Sequence, residues 1–117
     1  MSALFILLTT VLFSANPMQS ELSRLEGHDV EIAADRLSYQ IRDIAGEGPP
    51  LVGLIHRNGE SLVIETGGER LTLRGPLAVP RIAGPGYKVW LIGSRDGDAI
   101  TVRRIGILSR PTRANSL

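Results

Sequence analysis

Three tight-turn signals, Asn58-Gly59, Gly67-Gly68 and Asp96-Gly97, together with the Pro- and Gly-rich stretch 75–85, divide residues 50–108 into short runs. Asn-Gly and Asp-Gly favour the type I′ turn, whose two central residues need positive φ and whose twist matches that of paired strands. A chain punctuated in this way is committed to hairpins. Residues 51–57 read as a first, apolar strand. Residues 61–66 read as a second, with Leu62 and Ile64 on one face and Ser61, Val63 and Glu65 on the other. In the third, 69–74, Leu71 and Leu73 point inward while Arg70, Thr72 and Arg74 point outward. Residues 75–85 hold three prolines and two glycines and read as a connection, with room for one helical turn near 77–79.

The fourth strand, 87–94, sets Lys88, Trp90 and Ile92 on one side and Tyr87, Val89 and Leu91 on the other. In the fifth, 98–108, Ile100 and Val102 share one parity but Ile105 and Ile107 take the opposite one. A phase change at Arg103-Arg104 predicts a β-bulge or the sharp bend that closes a barrel. The expected fold is mainly β: a five-stranded, OB-like antiparallel barrel over 50–108, followed by a polar tail over 109–117. An SH3-like barrel or a fragment of a two-sheet sandwich is the alternative. The segments LVGLIHRNGESLVIETGGERLTLRG and GYKVWLIGSRDGDAITVRRIGIL resemble small bacterial exported (periplasmic) OB-fold domains. The resemblance rests on Gly53 in strand one, on Gly86, Val89 and Gly93 in strand four, and on Ile100, Val102 and Ile105 in strand five. It covers about half the chain and implies an architecture, not a chemistry. The haem-chaperone branch of these proteins carries a histidine just after the last strand. Here that region reads Leu108-Ser109-Arg110-Pro111-Thr112-Arg113, so the haem function does not carry over.

Before the barrel, Ala3 to Ala15 is an apolar run that contains Leu4, Phe5, Ile6, Leu7, Leu8, Val11, Leu12 and Phe13. Thirteen helical residues would span about 20 Å, against roughly 30 Å of hydrocarbon. That length suits the apolar part of an export signal, yet no Lys or Arg precedes it and no small-x-small cleavage site follows. Residues 1–18 are therefore expected to be either a signal peptide or a retained membrane anchor helix. The lead-in, 19–49, is ambiguous. Val30 and Ile32 alternate like a strand, but Ile32, Ala33, Leu37, Ile41, Ile44 and Ala45 recur at helical spacing, so 33–45 is expected to be an amphipathic helix. The rival reading is a strand, because 32–39 resembles one copy of the repeating ADxLxY strands of lipopolysaccharide-transport bridge proteins.

Charge divides along the chain. Seven acids face three arginines before Pro50, and ten basic residues face five acids from there on. The two halves can attract each other, or the basic half can meet anionic lipid or nucleic acid. The absence of cysteine removes disulfides, thiolate metal sites and cysteine nucleophiles. His28 and His56 are the only histidines and share no ligand spacing, so no metal site is expected. No nucleophile elbow or phosphate loop is present, and neither a catalytic residue nor a cofactor is assigned. The candidate binding surface is Arg70, Arg74, Lys88, Trp90, Arg103 and Arg104, with Trp90 alternatively the one large core residue of an aliphatic barrel. The expected function is a non-enzymatic, membrane-tethered or exported accessory subunit that contacts a partner protein, in the bacterial periplasm or on the periplasmic face of the inner membrane. The alternative is a module that binds an anionic ligand (nucleic acid, glycan or lipid headgroup) on the basic face. Export argues against nucleic acid, and two aromatic platforms are few for base stacking.

Overall fold

The computed structural model describes residues 17–35 and 38–111. The apolar run expected as a signal or anchor therefore lies outside the described residues, as do Arg36, Leu37 and the end of the tail. No described helix is long and apolar enough to cross a membrane. One short helix, α1 (Pro17–Ser23), precedes strands β1 (Val30–Ala34), β2 (Tyr39–Ile44), β3 (Leu51–Asn58), β4 (Ser61–Thr66), β5 (Glu69–Arg74), β6 (Lys88–Asp96) and β7 (Ala99–Ser109).

Strands β3 to β7 close into a five-stranded barrel in the order β3-β4-β5-β7-β6, with β6 returning to β3. The expected all-antiparallel barrel is corrected here. A closed ring with an odd number of strands cannot alternate direction throughout, so one neighbouring pair must be parallel. That pair is β5 with β7, in register through Leu73 and Ile100. β3 serves two neighbours, pairing with β6 over Leu51 to Leu54 and with β4 over Leu54 to Asn58. Gly53 stands where it passes from one to the other. A Cβ there would overlap the backbone carbonyl of Glu65, so only glycine lets β4 come in this close.

The hairpins form where the turn signals place them, but two are shifted by one residue. Asn58 pairs with Ser61 and Asp96 with Ala99, so the loop residues are Gly59-Glu60 and Gly97-Asp98. Glycine at the first central position with positive φ, 64° at Gly59 and 63° at Gly97, is the type II′ solution rather than I′. The 75–87 connection forms turns in place of a helical turn. Its Leu77, Ile82 and Ala83 pack against the barrel interior, which is built from Ile55, Leu62, Ile64, Leu71, Leu73, Val89, Leu91, Ile100 and Val102. The expected irregularity in the last strand is present. Ile92 faces Arg104 and Gly93 faces Val102, which leaves Arg103 as the extra, bulged residue. A second bulge leaves Leu108 unpaired between Ile107 and Ser109.

The amphipathic helix expected over 33–45 is not formed. The segment is a hairpin of β1 and β2, separate from the barrel sheet. Glu31 pairs with Asp43 and Ile32 with Ile41, so Arg42 is an extra residue on β2. This bulge carries Ile41 and Ile44, three residues apart, to the same buried face. Helix-like spacing thus arose from a strand with one residue too many. With Leu22 and Leu25, the hairpin's Val30, Ile32, Tyr39, Ile41 and Ile44 cover Val52, Trp90, Ile92 and Leu108 on the outside of the barrel. The described residues therefore form two apolar clusters, one inside the barrel and one between the barrel and its N-terminal strap.

Trp90 pairs with Gly106, and a Cβ on Gly106 would overlap the indole ring. Gly106→Ala is expected to lower unfolding free energy by about 1–3 kcal/mol, as overpacking does. Trp90 is the chain's single tryptophan, so its emission should also shift to the red as the strap loosens. Denaturant unfolding followed by fluorescence tests both effects, and an unchanged midpoint would show that the ring can move aside freely.

Candidate functional site

The chemically richest constellation lies where strap and barrel meet. α1 contributes Glu21, β2 contributes Tyr39 and β6 contributes Lys88. The Tyr39 hydroxyl donates to Glu21 Oε1 at 2.5 Å, and Lys88 Nζ donates to the same oxygen at 2.9 Å. Lys88 Nζ also lies 5.8 Å from the centre of the Tyr39 ring, within cation–π range. Glu21 is only 7% exposed, a burial that a carboxylate tolerates only when paired. Burial first, then the hydrogen bond and negative charge of Glu21, push the Tyr39 hydroxyl well above the ordinary phenol range. The phenol therefore resists ionisation while it donates to the carboxylate.

Beside this node is a cleft of about 470 Å³ lined by Tyr39, Gln40, Ile41, Arg42, Pro49, Pro50, Val52 and Lys88. It runs between β2 and the start of β3. In its polar wall Lys88 pairs with Glu21 and Arg42 with Glu31 at 3.9 Å, and Gln40 stands beside them. Among the described residues no three His, Asp or Glu side chains converge on one point. His56 bonds Glu65 at 2.9 Å, while His28 stands edge-on to Trp90 with ring centres 5.9 Å apart.

The six residues of the candidate surface do not form one open basic face. Arg70 lies 3.8 Å from Glu65, and Lys88 is engaged by Glu21. Arg103, the bulged residue of β7, and its neighbour Arg104 both grip Glu47, Arg104 at 2.5 Å. The Arg103 guanidinium, hydrogen-bonded to Glu47, holds that carboxyl below the usual range. Trp90 faces outward from the barrel, yet the strap leaves it only 4% exposed. Arg74 alone of the six is exposed and without an ion partner among the described residues. Glu21 and Glu47 were visible in the sequence only as members of an acidic half. No motif identified them as the anchors that neutralise the barrel's cations.

Comparison with protein-family models, curated proteins and solved structures finds no match to this chain.

Two measurements test the node. Glu21→Ala removes the shared acceptor and is expected to cost about 2 kcal/mol, the scale of hydrogen bonds to a charged group. Tyr39 binds its proton more tightly folded than unfolded, so its contribution to stability is whole below the unfolded phenol pKa of about 10 and declines above it. Unfolding free energy should therefore fall more steeply above that pH in the wild type than in Tyr39→Phe. Parallel curves for the two proteins would show that Tyr39 does not carry the alkaline sensitivity.

Proposed function

We propose that this chain is a non-catalytic assembly module with an OB-like barrel, exported across or tethered to a bacterial inner membrane. On the periplasmic side it binds or stabilises a partner protein as an accessory subunit of a membrane complex. The barrel order β3-β4-β5-β7-β6, with β3 shared between two neighbours and a parallel β5–β7 seam, supports the OB-like reading and the resemblance to exported OB domains.

The observation that carries the proposal is the strap. A barrel meant to search freely from a tether would hang on a polar, glycine- or proline-rich linker. Here α1 begins at Pro17, directly after the apolar run and Asn16, and the chain up to Ile44 folds onto the barrel. The Glu21 node and the Glu47 clamp then fasten it. From Pro17 onward the described chain leaves no free linker ahead of the barrel, which suits docking against a neighbour. The alternative, anionic-ligand binding on the face formed by Arg70, Lys88, Arg103 and Arg104, loses ground because those cations are paired within the chain.

The test is the intact mass of the protein extracted from native membranes, together with its companions. A full-length mass with stoichiometric companions is the expected result. A mass shortened by the apolar run, in the soluble fraction and without companions, would overturn the subunit reading.

A further inference from the structure

Eleven of the chain's Lys and Arg residues are described, and they fall into two groups. Arg42, Arg70, Lys88, Arg95, Arg103 and Arg104 each have a carboxylate partner. Arg24, Arg57, Arg74, Arg81 and Arg110 are exposed and make no ion pair with a described residue. The barrel members of the second group are not scattered. β3, β5 and β7 run in one direction, since β4 and β6 are antiparallel to their neighbours and β5–β7 is parallel. Arg57 is the penultimate residue of β3, Arg74 ends β5, and Arg110 follows the end of β7. Arg81 lies on the connection that covers the same mouth, beside Ile82 and Ala83, which pack into the interior. Arg57, Arg81 and Arg110 therefore lie at one end of the barrel, and Arg74 lies lower on its wall, level with Thr101 of β7.

The acids at this end are few. Glu60 lies in the β3–β4 turn, and Asp35, at the tip of the strap hairpin, is hydrogen-bonded to Ser38. Glu21 is neutralised by Lys88. The opposite end, at the β4–β5 and β6–β7 turns, carries Glu69, Asp96 and Asp98, with Arg95 bonded to Glu69. The barrel is thus polarised along its axis, positive where β3 and β7 finish.

The strap begins at the positive end. Lys88, first residue of β6, pairs with Ser109 near the end of β7, and it holds Glu21 of α1. Pro17 lies one helical turn before Glu21, within about 6 Å along the helix axis. Pro17 therefore enters the folded domain near Lys88 and Ser109, the residue before Arg110.

We infer that this arginine-bearing barrel end is a surface for anionic lipid headgroups, held against the bilayer by the N-terminal segment. The inference rests on the membrane-tether reading above and adds to it the face that meets the membrane and the lipid chemistry it selects. Guanidinium groups suit this role, because their planar forks bind phosphate oxygens in pairs. A bilayer, unlike a compact ligand, needs no pocket, only cations on one side of a body whose tether leaves from that side.

The test uses full-length protein with two kinds of vesicle, phosphatidylcholine alone and an equal mixture of phosphatidylcholine and phosphatidylglycerol. Salt is held at about 0.1 M, where screening sets in near 10 Å. The wild type is compared with a variant carrying Arg57→Gln, Arg74→Gln, Arg81→Gln and Arg110→Gln. A charge-matched control carries Arg42→Gln, Arg70→Gln, Arg95→Gln and Arg103→Gln. At roughly fivefold per arginine near an anionic surface, two engaged residues already give a preference above about tenfold for the mixed vesicles. The wild type and the control should show that preference. The first variant should lose it yet partition into phosphatidylcholine as before. Equal wild-type partitioning into both vesicles, or a preference that survives the four substitutions, overturns the surface and leaves the tether standing. Failure to partition into either vesicle overturns the tether reading and the surface with it. Saturable binding of a single-stranded oligonucleotide, lost in the first variant and without lipid preference, overturns the surface in favour of nucleic acid.

Discussion

Trp90 stands on the outer side of a barrel strand and is nearly sealed from water, and much of the architecture follows from that placement. A barrel of this size fills its interior with Ile, Leu and Val from five short strands, leaving no space for an indole. The ring lies over Gly106 on the neighbouring strand, where any larger residue would displace it. With Ile92 and Leu108 it makes an apolar patch that a lone barrel would expose, a surface of the kind that invites association. α1 and the β1–β2 hairpin cover it, adding a second cluster to a domain whose first is modest. The strap is therefore part of the fold, and a barrel cut at Pro50 would lose its second apolar cluster.

Electrostatics reinforce the same seam. Strap carboxylates meet barrel cations at two separated points, Glu21 with Lys88 and Glu47 with Arg103 and Arg104. The Glu47 clamp is a surface network that salt can screen, whereas the Glu21 node is buried and shielded by the Tyr39 ring. The attraction between an acidic front half and a basic back half is thus spent inside the molecule. What remains for other molecules is the minority of described arginines that have no carboxylate partner.

β2 and β7 show how far the pattern of residues could be read. In β7 the parity switch from Ile100 and Val102 to Ile105 was recognisable as a bulge, because long alternating runs on both sides set the expectation of a strand. In β2 the same device, a bulge at Arg42, produced i, i+3 spacing between Ile41 and Ile44 and read as helix. The difference is length. β2 has six residues, too few to show a period-two pattern both before and after the slip. The candidate site was less legible. Lys88, Arg103 and Arg104 were visible as cations on outward positions, but whether an outward position meets water depends on segments distant in the chain. Glu21 reaches Lys88 across 67 residues, and Glu47 reaches Arg103 across 56.

Local chemistry in the sequence determined the barrel hairpins, the inward and outward parities of the barrel strands and the two-signed charge division. Each depends on backbone sterics or on side-chain alternation within a few residues. Tertiary structure alone decided that the barrel would close through a parallel seam, that Trp90 would be buried from outside, and that most outward cations would be neutralised. Those outcomes depend on which distant surfaces meet, and a linear pattern carries no record of the partner that covers each face.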